Sequence, residues 1–203
     1  MAERRIVIFE WLTADGFFAS TDGNLDWVVP DEAQARAAAN EIGRFDTVLF
    51  GRRTYEQFAG FWPRVLDDDH SDTLPDPHHP GRRSREHRIV AVALDTMTKL
   101  VFSRTLKEAG WRNSRIIRSF DPRAIEAMKQ QPGKDMIVFG SGSIVSQLTE
   151  HGLIDEYHFV ACPVFIGQGR PLLGGLPSPV RLDLIDAATY ESGDLMLRYA
   201  RVS

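Results

Sequence analysis

Small residues and arginines follow short apolar runs at several points in the chain. The first such run is Thr47-Val-Leu-Phe-Gly-Arg-Arg-Thr-Tyr-Glu56, in which Gly51 ends a strand pattern and Arg52 and Thr54 open a helix. Guanidinium groups beside the free amides of a helix N-terminus bind phosphate well, because charge-assisted hydrogen bonds add to the helix dipole. For this junction alone, an arginine pair on a solvated helix start is an equally good explanation.

Two later junctions have related chemistry. Lys99-Leu-Val-Phe-Ser-Arg-Thr-Leu106 stops at Ser103 and Arg104, which suit a terminal phosphate monoester such as the 2′-phosphate of NADP. Met136-Ile-Val-Phe-Gly-Ser-Gly-Ser143 presents the unhindered backbone amides of Gly140, Ser141, Gly142 and Ser143, which suit a pyrophosphate. Val145 stands where a G-x-G-x-x-G fingerprint needs its third glycine, so a plain strand-to-helix turn stays an alternative. Together the three junctions favour phosphate binding.

Acidic residues near the N-terminus are the candidates for substrate binding or proton transfer. Asp15 lies in an Asp-Gly turn after the first strand pattern, and Asp31 and Glu32 stand in the first turn of a predicted helix. Acids in a first helical turn favour the helix dipole, which is the structural explanation. The functional explanation is that one of them faces a pocket, where it binds a polar heterocycle or relays a proton.

The segment 64–87 is polar, rich in proline and acidic before it turns basic. Loops of this length are usually functional or disordered, so we expect a solvated loop or a mobile lid. Asp67-Asp-Asp-His70 and His78-His79 are conceivable metal ligands. Consecutive residues of a flexible loop do not by themselves preorganise a coordination geometry, so the loop is the favoured interpretation and we expect no metal.

Composition limits the classes of partner. The 203 residues favour one compact domain with a large core, since 43% of them are hydrophobic. A net charge of −4 offers no general attraction to nucleic acid or to an anionic membrane. The one cysteine, Cys162, cannot form an intramolecular disulfide and lies in an apolar run. The N-terminal apolar run is too short for a signal peptide, so we expect a soluble, cytoplasmic protein.

The elements that position these residues alternate between strand and helix patterns, which predicts a largely parallel sheet covered by helices. The predicted strands are residues 5–11, 47–50, 88–94, 100–102, 115–118, 136–139 and 156–162. The predicted helices are residues 31–42, 54–60, 122–131 and 143–151. Residues 180–190 and 195–202 predict a C-terminal antiparallel hairpin.

The ordered set of junctions resembles the dihydrofolate reductase superfamily, and specifically the reductase domain of the bifunctional riboflavin-biosynthesis deaminase-reductase. The resemblance covers nearly the whole chain and implies one three-layer α/β/α domain over residues 1–203. The stretches that resemble the family are Thr13-Ala-Asp-Gly-Phe-Phe-Ala19, Gly23-Asn-Leu-Asp-Trp27, Leu49-Phe-Gly-Arg-Arg-Thr-Tyr-Glu56, Lys99-Leu-Val-Phe-Ser-Arg-Thr-Leu106, Ile137-Val-Phe-Gly-Ser-Gly-Ser143, Leu153-Ile-Asp-Glu-Tyr157 and Pro163-Val-Phe-Ile-Gly-Gln-Gly-Arg-Pro-Leu172.

The resemblance implies an NADPH-dependent reductase whose cofactor lies across the carboxyl ends of the strands. Arg52, Ser103 and Arg104 match positions that hold the 2′-phosphate, Thr54 matches a pyrophosphate contact, and Gly140 with Gly142 match the glycine turn. Asp15 matches the loop beside nicotinamide and substrate. Glu32, or Asp31 one position earlier, falls near the acid that dihydrofolate reductases use for the pterin.

The implied substrate is a small heterocycle, with reduction of a ribosylaminopyrimidine as the named candidate. Dihydrofolate reduction proper and a nucleotide-binding module without turnover are the alternatives, and the family is compatible with a homodimer. The chain departs from the family in three respects: its Gly140-Ser-Gly142 turn lacks the tighter glycine cluster common in dihydrofolate reductases, it has no zinc-deaminase signature, and its 64–87 loop has no counterpart that we can align. Substrate identity therefore does not follow from the fold.

Overall fold

The computed structural model describes residues 3–68, 70–79 and 81–202. Strands and helices alternate through most of the chain. The strands are Ile6–Thr13 (β1), Phe17–Ala19 (β2), Phe45–Gly51 (β3), Leu74–Pro75 (β4), Arg83–Ser84 (β5), Thr98–Phe102 (β6), Ser114–Ile117 (β7), Asp135–Phe139 (β8), Glu156–Cys162 (β9), Arg170–Pro171 (β10), Leu182–Thr189 (β11) and Leu195–Arg201 (β12). The helices are Glu32–Glu41 (α1), Arg52–Asp68 (α2), Arg85–Thr96 (α3), Pro122–Lys129 (α4) and Gly142–Glu150 (α5), with a 3₁₀ turn at Ile42–Arg44.

Eight strands form the central sheet in the order β11-β12-β9-β1-β8-β3-β6-β7. The pairs from β9 to β7 are all parallel, whereas β11–β12 and β12–β9 are antiparallel. This confirms the predicted parallel sheet with a C-terminal antiparallel hairpin. Since parallel strands share one carboxyl edge, the ends of β1, β8, β3 and β6 come together at that edge.

Two apolar cores lie on opposite faces of the sheet, as the alternation of side chains along a strand requires. On β1, Ile6 and Ile8 belong to the core that packs against α4 and α5, whereas Val7 belongs to the core that packs against α2 and α3. The predicted three-layer α/β/α architecture is confirmed. No helix in the described part of the chain is long and apolar enough to cross a membrane.

The predicted strand at 88–94 is wrong, because these residues lie in helix α3. The Ser84 side chain caps the helix by accepting a hydrogen bond from the His87 amide at 3.0 Å. Ala91 and Leu94 are fully buried, whereas Ile89 and Val92 are each 45% exposed. In the sequence, this apolar run resembles a buried strand. The Ser84 cap favours a helix instead, and only one face of that helix is buried.

The segment 64–87 also differs from the predicted loop. Helix α2 continues past Gly60 to Asp68, because Tyr55, Phe58 and Trp62 extend the apolar spacing of one helical face. Strands β4 and β5 then pair in a short antiparallel ribbon, and α3 begins at Arg85. Asp69 and Pro80 lie outside the described residues. The described part of the segment is therefore folded: its two ends belong to α2 and α3, and β4 contacts both helices. The candidate metal ligand Asp69 is not among the described residues.

Lys99 is a fully buried cation at the start of β6. Its Nζ donates hydrogen bonds to the carbonyl oxygens of Asp95, Met97 and Arg112 at 2.8, 3.0 and 3.1 Å. The same atom lies 4.3 Å from the ring centroid of Trp111. One side chain thus joins the end of α3 to the turn that leads into β7.

We expect Lys99→Met to lower the free energy of unfolding by about 2 to 3 kcal/mol, because it leaves three carbonyl groups without their donor while keeping an apolar stem. Urea denaturation of both proteins measures the difference. Lys107→Met, at an exposed position of the following loop, is the matched control and should change stability by less than about 0.5 kcal/mol. Equal effects of the two substitutions would contradict the role of Lys99.

Candidate active site

The hydroxyl of Ser141 joins the carboxyl ends of β3 and β8. Its Oγ accepts a hydrogen bond from the Gly51 amide at 2.9 Å and donates one to the Phe139 carbonyl at 3.0 Å. Ser141 is 7% exposed, so water does not replace these partners easily. The predicted phosphate-binding junctions at Gly51 and at Gly140 to Ser143 are therefore connected by hydrogen bonds.

The turn after β8 is left-handed at two successive residues, with φ of 53° at Gly140 and 61° at Ser141. A Cβ at position 140 would lie 3.0 Å from Thr54 Oγ1 and 3.1 Å from its Cγ2. Glycine is required here both by the backbone conformation and by this close approach. Thr54 Oγ1 accepts a hydrogen bond from the Ser141 amide at 3.1 Å, so its own hydroxyl hydrogen can still be donated to a ligand.

Helix α5 begins immediately after this turn. Its N-cap residue, Ser141, makes no side-chain capping bond to the first turn. The Ser141 carbonyl accepts from the amides of Ile144 and Val145 at 2.7 and 3.1 Å. The amides of Gly142 and Ser143, the first two residues of α5, remain available as hydrogen-bond donors at the positive end of the helix dipole. A Cβ at Gly142 would lie 3.1 Å from the Phe18 ring and 3.2 Å from the Leu172 carbonyl, so β2 packs closely over this helix end.

The cationic part of the predicted phosphate site lies at the ends of β3 and β6, where Gly51 pairs with Phe102. Arg52 donates to Glu56 and to the Thr105 hydroxyl, both at 2.9 Å. Ser103 Oγ accepts from the amides of Thr105 and Leu106 at 3.3 and 2.9 Å and keeps its hydrogen for another acceptor.

Arg104 is exposed next to Ser103. The structure thus places Arg52, Ser103 and Arg104 on neighbouring strand ends. It adds Arg118, which donates to the carbonyls of Ser103 and Leu106 at 3.3 and 2.6 Å. Arg118 is not predicted from the sequence as a site residue, although it is the last residue of the predicted strand 115–118.

Asp15 lies in the loop after β1 and holds the loop after β9. Its carboxylate accepts hydrogen bonds from the amides of Gly167 at 2.8 Å and Ile166 at 3.2 Å. The Thr13 hydroxyl together with these amides keeps the pKa of Asp15 below its ordinary value. Asp15 is therefore a carboxylate that positions two loops.

Asp31 and Glu32 have different surroundings at the start of α1. Asp31 Oδ1 accepts from the amides of Ala33 and Gln34 at 2.8 and 3.1 Å, and Oδ2 accepts from the Ser192 amide at 3.1 Å. Burial raises the pKa of Asp31, but these hydrogen bonds outweigh it and leave the pKa lowered. The Glu32 side chain is 78% exposed and lies 3.6 Å from Arg36.

A cavity of about 410 Å³ lies between β1, α1, the C-terminal half of α2 and residues 73–79 and 82–87. Three aromatic rings line it, those of Phe9, Trp11 and Trp62. The His78 ring lies edge-on to Trp11 at 5.5 Å, and the His87 ring lies 6.3 Å from Trp62. Its volume and aromatic lining suit a small flat ligand.

A second cavity of about 90 Å³ lies beneath α1, next to the first. It shares Phe9 and Gln34 with the larger cavity and is also lined by Phe139, the residue before Gly140. The Phe9 and Phe139 rings are 6.1 Å apart. Phe139 thus belongs both to the lining of the second cavity and to the strand that ends at the glycine turn.

Sequence patterns alone do not indicate that Trp11, His78 and His87 line this cavity. They suggest His78 only as a conceivable metal ligand and place His87 only in the predicted loop. Across residues 3–68, 70–79 and 81–202, no three His, Cys, Asp or Glu side chains are grouped so that they could hold a metal ion. The histidines instead contact aromatic rings of the cavity.

We expect Ser141→Ala to lower the free energy of unfolding by about 1 to 3 kcal/mol, because the buried Gly51 amide loses its acceptor. Chemical denaturation measures this change. Ser143→Ala, at an exposed residue two positions later, should stay within about 0.5 kcal/mol of the unsubstituted protein. A neutral Ser141→Ala would show that the link between β3 and β8 is not needed for stability.

Asp31→Ala should cost about 1 kcal/mol through loss of the α1 cap, and Asp31→Asn should recover most of it. The folded-state pKa of Asp31 is lowered, so the carboxylate stabilises the fold above its unfolded pKa of about 3.9. That contribution should disappear as the pH falls through the lowered folded pKa. Denaturation of both variants from pH 7 to pH 2 tests this, and a loss of stability in Asp31→Asn as large as in Asp31→Ala would contradict it.

Three comparisons place the chain among known proteins. The sequence profile described as RibD C-terminal domain matches residues 4–196. The YyaP protein of Bacillus subtilis (strain 168) is 26% identical over 203 residues, covering 98% of this chain and 96% of that protein.

Solved structures share the fold. A putative riboflavin biosynthesis protein from Shewanella sp. PV-4 superposes with a TM-score of 0.73 at 20% identity, covering 98% of this chain and 99% of that one. Dihydrofolate reductase from Enterococcus faecalis, in complex with NADP(H) and RAB-propyl, superposes with a TM-score of 0.63 at 12% identity, covering 100% and 99%. The fold is thus dihydrofolate reductase-like, and from the profile match over nearly its whole length the chain belongs to the RibD C-terminal domain family.

Proposed function

We propose that this protein is an NADPH-dependent reductase of a small heterocycle, of the type that acts in riboflavin biosynthesis. The observation that carries the proposal is the junction of Gly51, Thr54 and Ser141. At this junction, the Thr54 hydroxyl hydrogen and the amides of Gly142 and Ser143 remain as donors at the edge of the sheet. Donors in this arrangement suit the pyrophosphate of a dinucleotide.

The residues present fit NADPH in particular. The Thr54 hydroxyl and the amides of Gly142 and Ser143 would hold the pyrophosphate. Arg52, Ser103 and Arg104, on the ends of the adjacent strands β3 and β6, would hold the 2′-phosphate. When bound, NADPH supplies a hydride, and the protein supplies binding and orientation. The NADP(H) complex of the Enterococcus faecalis reductase, which shares this fold, supports the assignment.

The aromatic cavity is the proposed substrate site. Phe139 lines the smaller cavity next to it and immediately precedes Gly140, which favours a substrate site close to the proposed cofactor site. Aromatic walls exclude water and fix the plane of a flat substrate, which is what hydride transfer requires of the protein. The ribosylaminopyrimidine reduced in riboflavin biosynthesis is the substrate that the family resemblance suggests, with a pteridine as the related choice.

Dihydrofolate reduction proper has less support from this site. A carboxylate that binds the pterin must have free oxygen lone pairs inside the cavity. Both acids line the cavity, but Asp31 already accepts three backbone hydrogen bonds, which leaves about one of its four lone pairs, and Glu32 lies 3.6 Å from Arg36. A nucleotide-binding module without turnover would share the cofactor site, so kinetic measurements separate it from the reductase. The homodimer stays a prediction.

We expect Arg52→Ala and Arg104→Ala each to weaken NADPH binding about tenfold or more and NADH binding less than about threefold. The reason is that only NADPH carries the extra phosphate, and a charge-assisted hydrogen bond is worth about 1.5 to 3 kcal/mol. Calorimetric titration of both cofactors at one ionic strength measures the difference. Turnover is then followed with 5-amino-6-(5-phosphoribosylamino)uracil and with dihydrofolate.

The matched control is Arg123→Ala, an exposed arginine at the start of α4, which should leave both affinities unchanged. Equal weakening of NADPH and NADH would show that these arginines do not contact the 2′-phosphate. No NADPH binding by the unsubstituted protein would refute the proposed function. Binding without turnover on either substrate would favour the binding module or another heterocycle.

A further inference from the structure

The proposed site for the 2′-phosphate contains a carboxylate as well as cations. Glu56 lies one helical turn after Arg52 in α2, and its Oε1 accepts a hydrogen bond from Arg52 Nε at 2.9 Å. Both side chains are accessible, since 49% of Arg52 and 44% of Glu56 is exposed. A ligand that reaches Arg52 therefore also meets the negative charge of Glu56.

The other two arginines at these strand ends have different surroundings. Arg118 Nη1 donates to the carbonyl oxygens of Ser103 and Leu106, so this side chain shapes the loop after β6. Arg104 is exposed and has no ion pair within residues 3–68, 70–79 and 81–202. Arg104 thus offers its full charge to an anion, whereas the charge of Arg52 is already balanced by Glu56.

Arg52 keeps several hydrogen-bond donors while it is paired with Glu56. A guanidinium group has five N–H donors. Glu56 uses the one on Nε, and the Thr105 hydroxyl uses one on Nη1 at 2.9 Å, so the remaining donors of Nη1 and Nη2 can bind a ligand. A phosphate bound to them would share one cation with the Glu56 carboxylate, and the two anions would repel each other. Glu56 therefore opposes a phosphate at this position.

A ribose hydroxyl fits the same ion pair better than a phosphate does. A hydroxyl both donates and accepts, so it can donate to the Glu56 carboxylate and accept from Arg52. In Rossmann folds, a carboxylate that binds the 2′-hydroxyl is typical of NAD sites, and an arginine beside the 2′-phosphate is typical of NADP sites. Arg52 and Glu56 combine both features in one ion pair.

Orientation of Arg52 by Glu56 would have the opposite effect on NADPH binding. Half-exposed ion pairs between residues i and i+4 of a helix hold their side chains only weakly, because solvent screens them. The Thr105 hydroxyl also holds Arg52, from a different element. A phosphate monoester carries up to two negative charges at neutral pH, so its repulsion by Glu56 is the larger effect.

We propose that Glu56 narrows the preference of this protein for NADPH over NADH, because its carboxylate binds the 2′-hydroxyl of NADH and repels the 2′-phosphate of NADPH. The inference rests on the proposed function, since it concerns the cofactor specificity of the same site. Glu56 is a specificity-determining residue, because it contacts the adenosine end of the cofactor and not the reacting atoms. Both cofactors are therefore ligands of this protein.

Calorimetric titration of the intact chain with NADPH, NADH, adenosine 2′,5′-bisphosphate and AMP tests this inference. Glu56→Gln keeps an oxygen that accepts from Arg52 Nε and removes only the charge. We expect it to bind NADPH and the bisphosphate about three- to tenfold more tightly, because the repulsion is gone. NADH and AMP carry no 2′-phosphate, so they should bind no more tightly than they bind the unsubstituted protein.

Two further variants separate the charge of Glu56 from other effects. Glu56→Asp keeps the charge, so its ratio of NADPH to NADH affinity should stay within about twofold of the original. Glu150→Gln is the matched control, because it removes the same charge from an exposed residue at the end of α5 farthest from Gly142. It should leave all four affinities unchanged.

Three results would overturn the inference. Weaker NADPH binding by Glu56→Gln would show that Glu56 orients Arg52 for the phosphate. An unchanged ratio of NADPH to NADH affinity would show that Glu56 does not meet the 2′-position. An equal rise of this ratio in Glu150→Gln would show that the effect comes from the net charge of the protein.

The two proposals fail separately. If the affinity ratio rises in Glu56→Gln but neither heterocycle is reduced, the inference stands and the reductase proposal loses its named substrates. If the unsubstituted protein reduces a heterocycle with NADPH while Glu56→Gln leaves the ratio unchanged, the reductase proposal stands and the inference falls. No binding of NADPH or the bisphosphate by the unsubstituted protein would refute both.

Discussion

The shared carboxyl edge of β3 and β8 is the constraint on which the candidate site depends. These strands are parallel neighbours, so Gly51 and Gly140 must end at the same edge. The Ser141 hydroxyl then joins the two ends through hydrogen bonds to Gly51 and Phe139. Because the backbone at Gly140 and Ser141 is left-handed, α5 starts directly beside Thr54. One buried hydroxyl thus sets the relation between two helix N-termini.

A continuous set of aromatic contacts connects this edge to the cavity. Phe9 contacts both Trp11 at 5.3 Å and Phe139 at 6.1 Å, and Phe139 stacks on Phe58 at 5.7 Å. Large aromatic side chains bury much area and have few rotamers, so they hold the cavity floor in place. The same residues therefore complete the core between sheet and α2 and line the proposed substrate site.

The segment 64–87 shows where prediction from the sequence failed and why. Its many polar residues and prolines are typical of a loop, and no local pattern indicates what the segment packs against. In the structure, Leu74 is fully buried, and α3 contributes Ala91 and Leu94 to the core with α2. The cavity wall with His78 and His87 results from this packing. Contacts between residues distant in sequence decided that outcome, and propensity alone does not encode them.

The sequence by itself determined the parallel sheet and the C-terminal hairpin, because these follow from local periodicity. It also indicated that Arg52, Ser103 and Arg104 lie on strand ends, since parallel order brings such ends together. Only the tertiary structure decided how the acids are used. Asp31 caps α1 through local bonds to Oδ1, but its Oδ2 also holds the C-terminal hairpin, because the amide of Ser192, 161 residues away, donates to it. His87 became a cavity residue because α3 folds against α1 and α2, a long-range packing choice that no short stretch of sequence contains.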